Sequence, residues 1–484
     1  MTGRADEPPP AAGKLPTGRL GRTARVGGLV TGQSLRWAGM RTANRLRTPE
    51  RAEAAQQERT AALVSELVDQ LGQMRGAAMK VGQMISMVEF DGLPDDQRQE
   101  LQAKLASLRD SVPPVPFAKL ERMMRDEFGG PLERVFSEFD EQAFAAASIG
   151  QVHRAVTVAG DQVAVKVQYP GVAEAVETDM RNAILLVPLV KRLAPGIDAK
   201  SLFSELRERI SEELDYELEA QNQRRVERLL RGHPFISVPR VDTALSTRRV
   251  LVSEFIDGAR FEAVRELDEA ERDRYGEIVF RFYFGLLYRD RIALGDPHPG
   301  NYLLRGDGRV AFLDYGLLRD VDSERVNAER AIARAVRDRD APALKAALIA
   351  GGYLPAERAD IVDPDLTLRM MRHATRWYAA PGHRRFESQD EAQRGRRRER
   401  RESDDEQRND NVREQINQFT LPAETVLIRR MHGIVAIVLW QLHAGADWGA
   451  IAAEYLHAAP PSTALGEAEA SFFGHSADNV PQPI

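Results

Sequence analysis

Asp296-Pro-His-Pro-Gly-Asn301-Tyr302-Leu-Leu304-Arg-Gly306-Asp-Gly308-Arg309-Val-Ala-Phe-Leu313-Asp314-Tyr-Gly316 is the stretch on which the fold turns. Its centre reads as a hairpin, because two short apolar runs, Tyr302 to Leu304 and Arg309 to Leu313, flank the turn Gly306-Asp307-Gly308. An acidic motif borders it on each side. Before it, a proline-stiffened loop sets Asp296 and Asn301 five positions apart; after it comes Asp314-Tyr-Gly316. Phosphoryl transfer needs counter-charge and alignment from the protein rather than covalent help. Asp314 and Asn301 bring oxygen ligands suited to a hard cation such as Mg2+, which leaves Asp296 for an incoming hydroxyl or water. His298 reads equally well as a phosphate contact or a loop hydrogen bond.

Upstream, Val163-Ala-Val-Lys166-Val167 is a strand with a lysine at its centre, and it follows the small-residue turn Ala145-Ala-Ala-Ser-Ile-Gly150. Such a lysine meets an anion at a strand edge, where it can neutralise non-transferred phosphate oxygens, or it is an ordinary snorkelling side chain. Taken singly these fragments are weak. In the order lysine strand, connector Phe255-Ile-Asp-Gly258, Asp-x4-Asn loop, hairpin and Asp-x-Gly, they approximate the protein-kinase signature.

The composition agrees with a two-lobed globular chain. It has 484 residues, 43% hydrophobic, with a net charge of -6 and no cysteine, so disulfide frameworks and thiolate chemistry are excluded. The expected location is the cytoplasm. The most apolar runs, 183–190 and 434–440, are too short to cross a bilayer. Residues 1–50 hold nine Lys or Arg against three acidic residues. They read as a flexible leader, with peripheral attachment of 26–46 to the anionic inner face of the plasma membrane as the second reading. The charged run 384–410 mixes signs, which fits a solvated insertion and argues against a nucleic-acid partner.

Periodicity places a basic flexible leader at 1–53, a helical extension at 54–130, a strand-rich lobe at 131–256 and a largely helical lobe at 257–484. In the extension, apolar residues spaced three and four apart from Leu63 to Val88 predict a long helix, whose neighbouring face carries Gly76, Lys80 and Gln83. Further helices are expected at 95–108, 116–128, 174–191, 203–230, 323–337, 341–350 and 426–443. Strands are expected at 150–158, 162–168, 243–246 and 249–254.

From Ala62 to His443 the chain resembles the UbiB/AarF atypical kinases. Lys80-Val-Gly82-Gln83 is similar to the family's Lys-x-Gly-Gln signature, and Ala145-Ala146-Ala147-Ser148-Ile149-Gly150-Gln151-Val152 to its alanine-rich replacement for the kinase glycine loop. Glu213-Leu-Asp215 with the following Glu219 matches its Glu-x-Asp signature. Asp296-Pro-His-Pro-Gly-Asn301 matches its catalytic loop, although Leu294-Gly295 stands where many relatives have His-Ala, and Asp314-Tyr-Gly316 replaces the commoner Asp-Phe-Gly. The resemblance implies an α+β, two-lobed protein-kinase-like fold with an added helical subdomain. It also implies ATP and Mg2+ as cofactors and a role in isoprenoid quinone or membrane-lipid metabolism. By the same resemblance, residues 145–152 and Lys166 bind nucleotide, and Glu219 pairs with Lys166. Asp296 and Lys166 are catalytic, and Asn301 and Asp314 hold metal. Lys80, Gly82, Gln83, Glu213 and Asp215 regulate, with Lys80 meeting Glu213. Helix geometry allows one helix to carry Glu213 and Glu219 about 120° apart.

Two departures from ordinary protein kinases shape the expected substrate. Alanine Cβ atoms restrict the backbone where a glycine loop would cover ATP, and no extended activation segment or Ala-Pro-Glu follows Gly316. The expected activity is an atypical kinase or ATPase acting on a lipid or quinone precursor. Phosphorylation of a protein and a non-catalytic nucleotide-gated module are the alternatives.

Overall fold

Pro116, with its fixed φ, stands immediately before helix α1 (Phe117–Phe128), and Gly129 ends the helix in the left-handed region at φ 65°. The structure is a computed structural model that describes residues 115–147, 149–184, 212, 214–295, 297–386, 412 and 415–476. The leader, the helices expected at 62–88 and 95–108, and residues Lys80, Gly82, Gln83, Ser148, Glu213 and Asp296 lie outside the described residues, as does the charged run from 387 to 411.

The chain divides into two compact units, with the division running through a hairpin: Val165–Asp215 belongs with the residues up to Ala155, and Val156–Ala164 with Tyr216–Ile484. In the first unit, α1 buries Leu120, Met123 and Met124. It is followed by β1 (Phe136–Phe139), β2 (Ala145–Ala147), β3 (Gly150–Thr157), β4 (Gln162–Gln168) and α2 (Val172–Ile184). The sheet runs β1-β3-β4-β6, with β2 added on β3 and β6 being Val250–Glu254. Two backbone bonds, Tyr169 N to Ile149 O and Thr157 N to Asp161 O, both at 2.9 Å, set the β3–β4 register. In that register Val152 lies opposite Lys166 on the half-buried face, while Gln151, His153, Val165 and Val167 point to the buried one.

The second unit opens with α3 (Tyr216–Leu230) and β5 (Ile236–Ser237), and continues through β6, β7 (Ala259–Arg260) and α4 (Phe261–Arg265). Its centre is α5 (Glu269–Tyr288), started by Asp268, whose side chain accepts from Glu271 N at 2.9 Å. From Tyr275 to Tyr288 nearly every side chain of α5 is buried, so this is a core helix rather than an amphipathic surface one. Phe282 stacks on Phe312 with centroids 3.6 Å apart, tying α5 to the hairpin of β9 (Tyr302–Leu304) and β10 (Val310–Phe312). A ribbon of β8 (Ile292–Leu294) and β11 (Leu318–Asp320) flanks that hairpin in sequence. Then follow α6 (Ser323–Asp338), α7 (Ala341–Ala350), α8 (Pro364–Ala379), β12 (Arg384–Arg385), α9 (Ala423–Gln441), β13 (Gly445–Ala446), α10 (Trp448–His457) and α11 (Ala464–Ser476).

Three sequence expectations are corrected. Residues 243–246 do not form a strand: Asp242 Oδ1 accepts from Ala244 N and Leu245 N, and Ser246 Oγ donates to Asp242 O, so side chains capture the backbone groups a ladder would use. Arg384 and Arg385 are part of the fold, since β12 pairs with β13 and Arg385 forks onto Asp273 at 2.7 and 2.6 Å. The helix expected over 203–230 is interrupted at Leu214 and Asp215. Gln168 Nε2 takes the Leu214 carbonyl at 2.8 Å, and Tyr216 N donates to Arg248 O at 3.0 Å, so neither group is available to carry a helix through.

Two features of the helical unit set its stability. Arg281 of α5 is fully buried and bonds Glu277, Glu454, Glu469 and Thr463 at 2.7 to 3.1 Å, locking α10 and α11 onto the core helix. Removing one partner of such a network strands the others. Arg281→Met is therefore expected to lower unfolding free energy by about 3–5 kcal/mol in urea titrations, with part recovered when Glu469→Gln is added; an unchanged midpoint would refute this. Second, His233 and His432 are buried, and burial first, then nearby arginines, depress both pKa values to about 3. Their stabilisation is complete above the unfolded pKa of 6.5 and is lost as pH falls from there toward 3, because only the unfolded chain takes up those protons. The slope is about 1.4 kcal/mol per pH unit for each histidine. His432→Phe is expected to remove one such share from the pH dependence between pH 6 and 4, and an identical slope in the variant would overturn the assignment.

Candidate active site

The acidic turn after β10 is held by its own backbone. Gly316 N donates to Asp314 Oδ1 at 3.0 Å, an Asx turn that commits one carboxylate oxygen. Leu313 N donates to Asn301 O at 3.0 Å, so the residue before Asp314 is bonded directly to Asn301. Asn301 ends the 3-10 turn Pro299–Asn301, where His298 Nδ1 accepts from Gly300 N at 3.0 Å. Of the two readings of His298, the loop hydrogen bond is the one present. On the other side, Gly295 N donates to Leu317 O at 2.8 Å, continuing the β8–β11 ribbon in which Leu294 pairs with Leu318.

Two local departures from the family pattern have steric explanations. A Cβ at position 295 would come within 2.2 Å of Leu317 Cδ2 and 2.4 Å of Leu427 Cδ1, so the leucines fill the volume an alanine methyl would take. The phenol of Tyr315 is fully buried, and its hydroxyl donates to Phe312 O at 3.0 Å, which satisfies the one atom that tyrosine adds to phenylalanine.

Helix α3 lies against this turn. Glu219 is 4% exposed, and a Cβ built on Gly316 would sit 3.7 Å from Glu219 Oε2 and 3.5 Å from Asp314 Oδ1. Two carboxylates thus approach the space beside one glycine, an arrangement that a cation stabilises. Glu219 and Asp314 belong to the same unit. The break at Leu214 and Asp215 separates Glu219 from Glu213, so the single-helix account of the two glutamates fails, and Asp215 stands half-buried ahead of α3 with its N–H on Glu212 O at 3.0 Å.

In the other unit the alanine-rich segment is a strand rather than a loop. Ala145 pairs with Val152, Ala146 with Gln151 and Ala147 with Gly150, and Ile149 is buried. Alanine Cβ atoms suit that extended backbone where a glycine run would not hold it. Lys166 and Val152 share the half-buried face. Gln151 points the opposite way: its Oε1 accepts from Val115 N at 3.2 Å, and its Nε2 lies 3.0 Å from His153 Nε2. His153 Nδ1 is 2.8 Å from Asp140 O, so the ring is neutral with its proton on Nδ1, consistent with a pKa lowered by burial. The Gln151 side chain is thus committed to packing, and what it turns to the other face is backbone.

Sequence reasoning gave no role to Asn222 or Arg225 of α3. Asn222 Nδ2 donates to Tyr315 O at 3.1 Å, and Arg225 forks onto Asp320 at 3.0 and 2.5 Å. Asn222 stands three residues from Glu219 and Arg225 three from Asn222, spacings that make each successive pair neighbours on the helix surface.

Comparison with known proteins identifies the family. Residues 107–348 match the family described as the ABC1 atypical kinase-like domain. Atypical kinase COQ8B, mitochondrial, of Danio rerio is 31% identical over 313 residues, covering 63% of this chain and 49% of the relative. Atypical kinase COQ8, mitochondrial, of Saccharomyces cerevisiae is 29% identical over 257 residues, covering 53% and 50%. This chain spans about half the length of these two relatives. Among solved structures, Rv3197 of Mycobacterium tuberculosis, determined with erythromycin, is similar at a TM-score of 0.58 and 30% identity, covering 82% of this chain and 97% of that one. The fold is accordingly α+β and kinase-like, and the chain belongs to the ABC1, or UbiB/AarF, atypical kinase family.

Proposed function

We propose that the chain is an ATP-dependent atypical kinase or ATPase that uses Mg2+ and acts in, or regulates, isoprenoid quinone or membrane-lipid metabolism. The observation that carries this reading is the Asp314 turn, bonded through Leu313 to Asn301 and faced by the buried Glu219. Among the described residues no three His, Cys, Asp or Glu converge as a metal cluster. Asp314 and Asn301 offer one carboxylate and one carboxamide, hard oxygen ligands that suit a magnesium ion keeping most of its ligands from water and phosphate, and the Glu219 carboxylate stands beside the same glycine. Asp314 and Asn301 would hold it, and bound there it would neutralise charge on the phosphates.

The remaining roles fall to the chain's own side chains. Lys166 supplies a fixed positive charge for phosphate oxygens, and the backbone of 145–152 lines the nucleotide. Asp296 orients the acceptor and holds its proton. Lys80, Gly82, Gln83, Glu213 and Asp215 are assigned to control of that site on the strength of the family motifs. Only Leu317 separates Gly316 from β11, and α6 begins at Ser323, so the short segment is paired to β8 rather than extended as a platform for a polypeptide. That supports a small-molecule or lipid acceptor, as do the COQ8 relatives. No helix among the described residues is long and apolar enough to cross a membrane.

Asp314→Asn is expected to reduce magnesium-dependent ADP release by about 100-fold or more while leaving the urea midpoint within error. Equal ADP release by the variant would remove the proposed metal site. With γ-labelled ATP, label is expected to pass to extracted membrane lipids or prenylated quinone precursors and not to a panel of polypeptides. Transfer confined to a polypeptide would replace the proposed acceptor class, and nucleotide binding without turnover would favour the regulatory module.

A further inference from the structure

We propose that Asn222 and Arg225 are positioning residues that latch α3 to the metal turn and hold Asp314 in its ligand orientation before any cation arrives. The inference rests on the reading of Asp314 as a magnesium ligand. Glu219, Asn222 and Arg225 fall three apart on α3, each about 60° around the axis from the one before, so they wind through about 120° while rising about 9 Å along the helix. Their targets follow in chain order: the space beside Gly316, the Tyr315 carbonyl, and Asp320.

The middle contact controls the peptide plane between Tyr315 and Gly316. In a trans peptide the C=O and N–H point in opposite directions. Asn222 Nδ2 holds the carbonyl at 3.1 Å, and that plane's N–H reaches Asp314 Oδ1 at 3.0 Å. Fixing one end of the plane therefore aims the other, and the hydrogen bond on Oδ1 sets which oxygen of Asp314 remains for a ligand. Such a device is needed because Gly316 lacks a Cβ to restrict rotation of this plane. Only the amide's N–H can face a carbonyl, so the orientation of Asn222 is determined by its partner.

Arg225 serves the same purpose one turn further along. Its bidentate pair with Asp320 joins α3 to the end of β11, where Asp320 lies opposite Ile292 and the next residue, Val321, donates to Arg291 O. The pair is exposed, with side-chain accessibilities of 39% and 72%, so it adds little to global stability. What it provides is geometry: a planar fork at the far end fixes the rotation of the helix that carries Asn222 and Glu219.

The test uses the full chain with Mn2+ as a paramagnetic probe and a non-hydrolysable ATP analogue, alongside hydrogen exchange of the ligand-free protein. Asn222→Ala and Asn222→Asp are expected to raise the Mn2+ concentration for half-saturation about tenfold, the worth of one hydrogen bond, with smaller changes for Arg225→Ala. ADP release at saturating Mg2+ is expected to return to within about twofold of wild type, because a merely positional loss can be offset by metal. In the ligand-free protein the Gly316 amide is expected to exchange faster in both Asn222 variants, with thermal unfolding unchanged. If the Asn222 variants bind Mn2+ with wild-type affinity and Gly316 exchanges at the wild-type rate, the latch is refuted. Should Asn222→Ala fail to fold, Asn222→Asp and the exposed Arg225→Ala carry the same comparison. A wild-type chain that binds no metal with nucleotide would instead refute the magnesium reading, while the exchange measurement would still report on the latch.

Discussion

The backbone bond from Leu313 N to Asn301 O is the constraint on which the candidate site depends. Asn301 and Asp314 are thirteen positions apart, and a hairpin lies between them. The hairpin brings its two ends together, so a loop ending in a carboxamide and a turn beginning with a carboxylate become neighbours. Phe312, stacked on Phe282, and Tyr302, buried beneath, then fasten the hairpin to the core helix. The backbone that carries both oxygen-bearing side chains is thereby fixed by secondary structure, as a preorganised cation site requires.

The helical unit is held by charge as well as by apolar packing. Besides the Arg281 network, Glu329 of α6 is buried against Arg429 of α9, and both bond the hydroxyl of Tyr353. Burial opposes the charge on Arg429, but Glu329 and Tyr353 more than offset it, and the guanidinium stays protonated. Ion pairs in a low-dielectric core add less to stability than apolar side chains of the same volume. Their directional bonds do distinguish one helix arrangement from its neighbours. Here they fix α6, the helix that follows the metal turn, against α9, which supplies Leu427 behind Gly295.

Much of this was legible in the amino-acid sequence where local chemistry decides the structure. The hairpin at 302–313, the helices at 323–338 and 341–350 and the strands on either side of Gly160 follow from turn residues, caps and alternation, and the structure reproduces them within a residue or two. What was not legible depends on partners distant in the chain. The break at Leu214 requires Gln168, 46 residues away, to claim a carbonyl. The inward turn of Gln151 requires Val115 and His153. At 243–246 a β-prone composition lost to Asp242 and Ser246, whose side chains satisfied the backbone more cheaply than a second strand. The family motifs named residues at the candidate site but not how they are held. The contacts that Asn222 and Arg225 make became visible only when the Tyr315 carbonyl and Asp320 were seen facing them.

The division of the chain gives these contacts a further consequence. Helix α3 carries Glu219 and lies with Asp314 in one unit, while Lys166 lies in the other. A helix bonded at successive turns to the metal turn and to β11 cannot rotate without breaking the Asn222 and Arg225 contacts together. The backbone that carries its carboxylate is therefore set by the unit that holds Asp314. Replacement of an extended activation segment by the short β11 strand has the same effect, since β11 pairs with β8 from Leu318 to Asp320 and backbone bonds at Leu317 and Val321 close the ladder on either side. Control of such a site would have to come from elements other than a mobile segment after the metal turn, and the alanine strand and the Lys-x-Gly-Gln and Glu-x-Asp motifs are where the sequence departs most from an ordinary kinase.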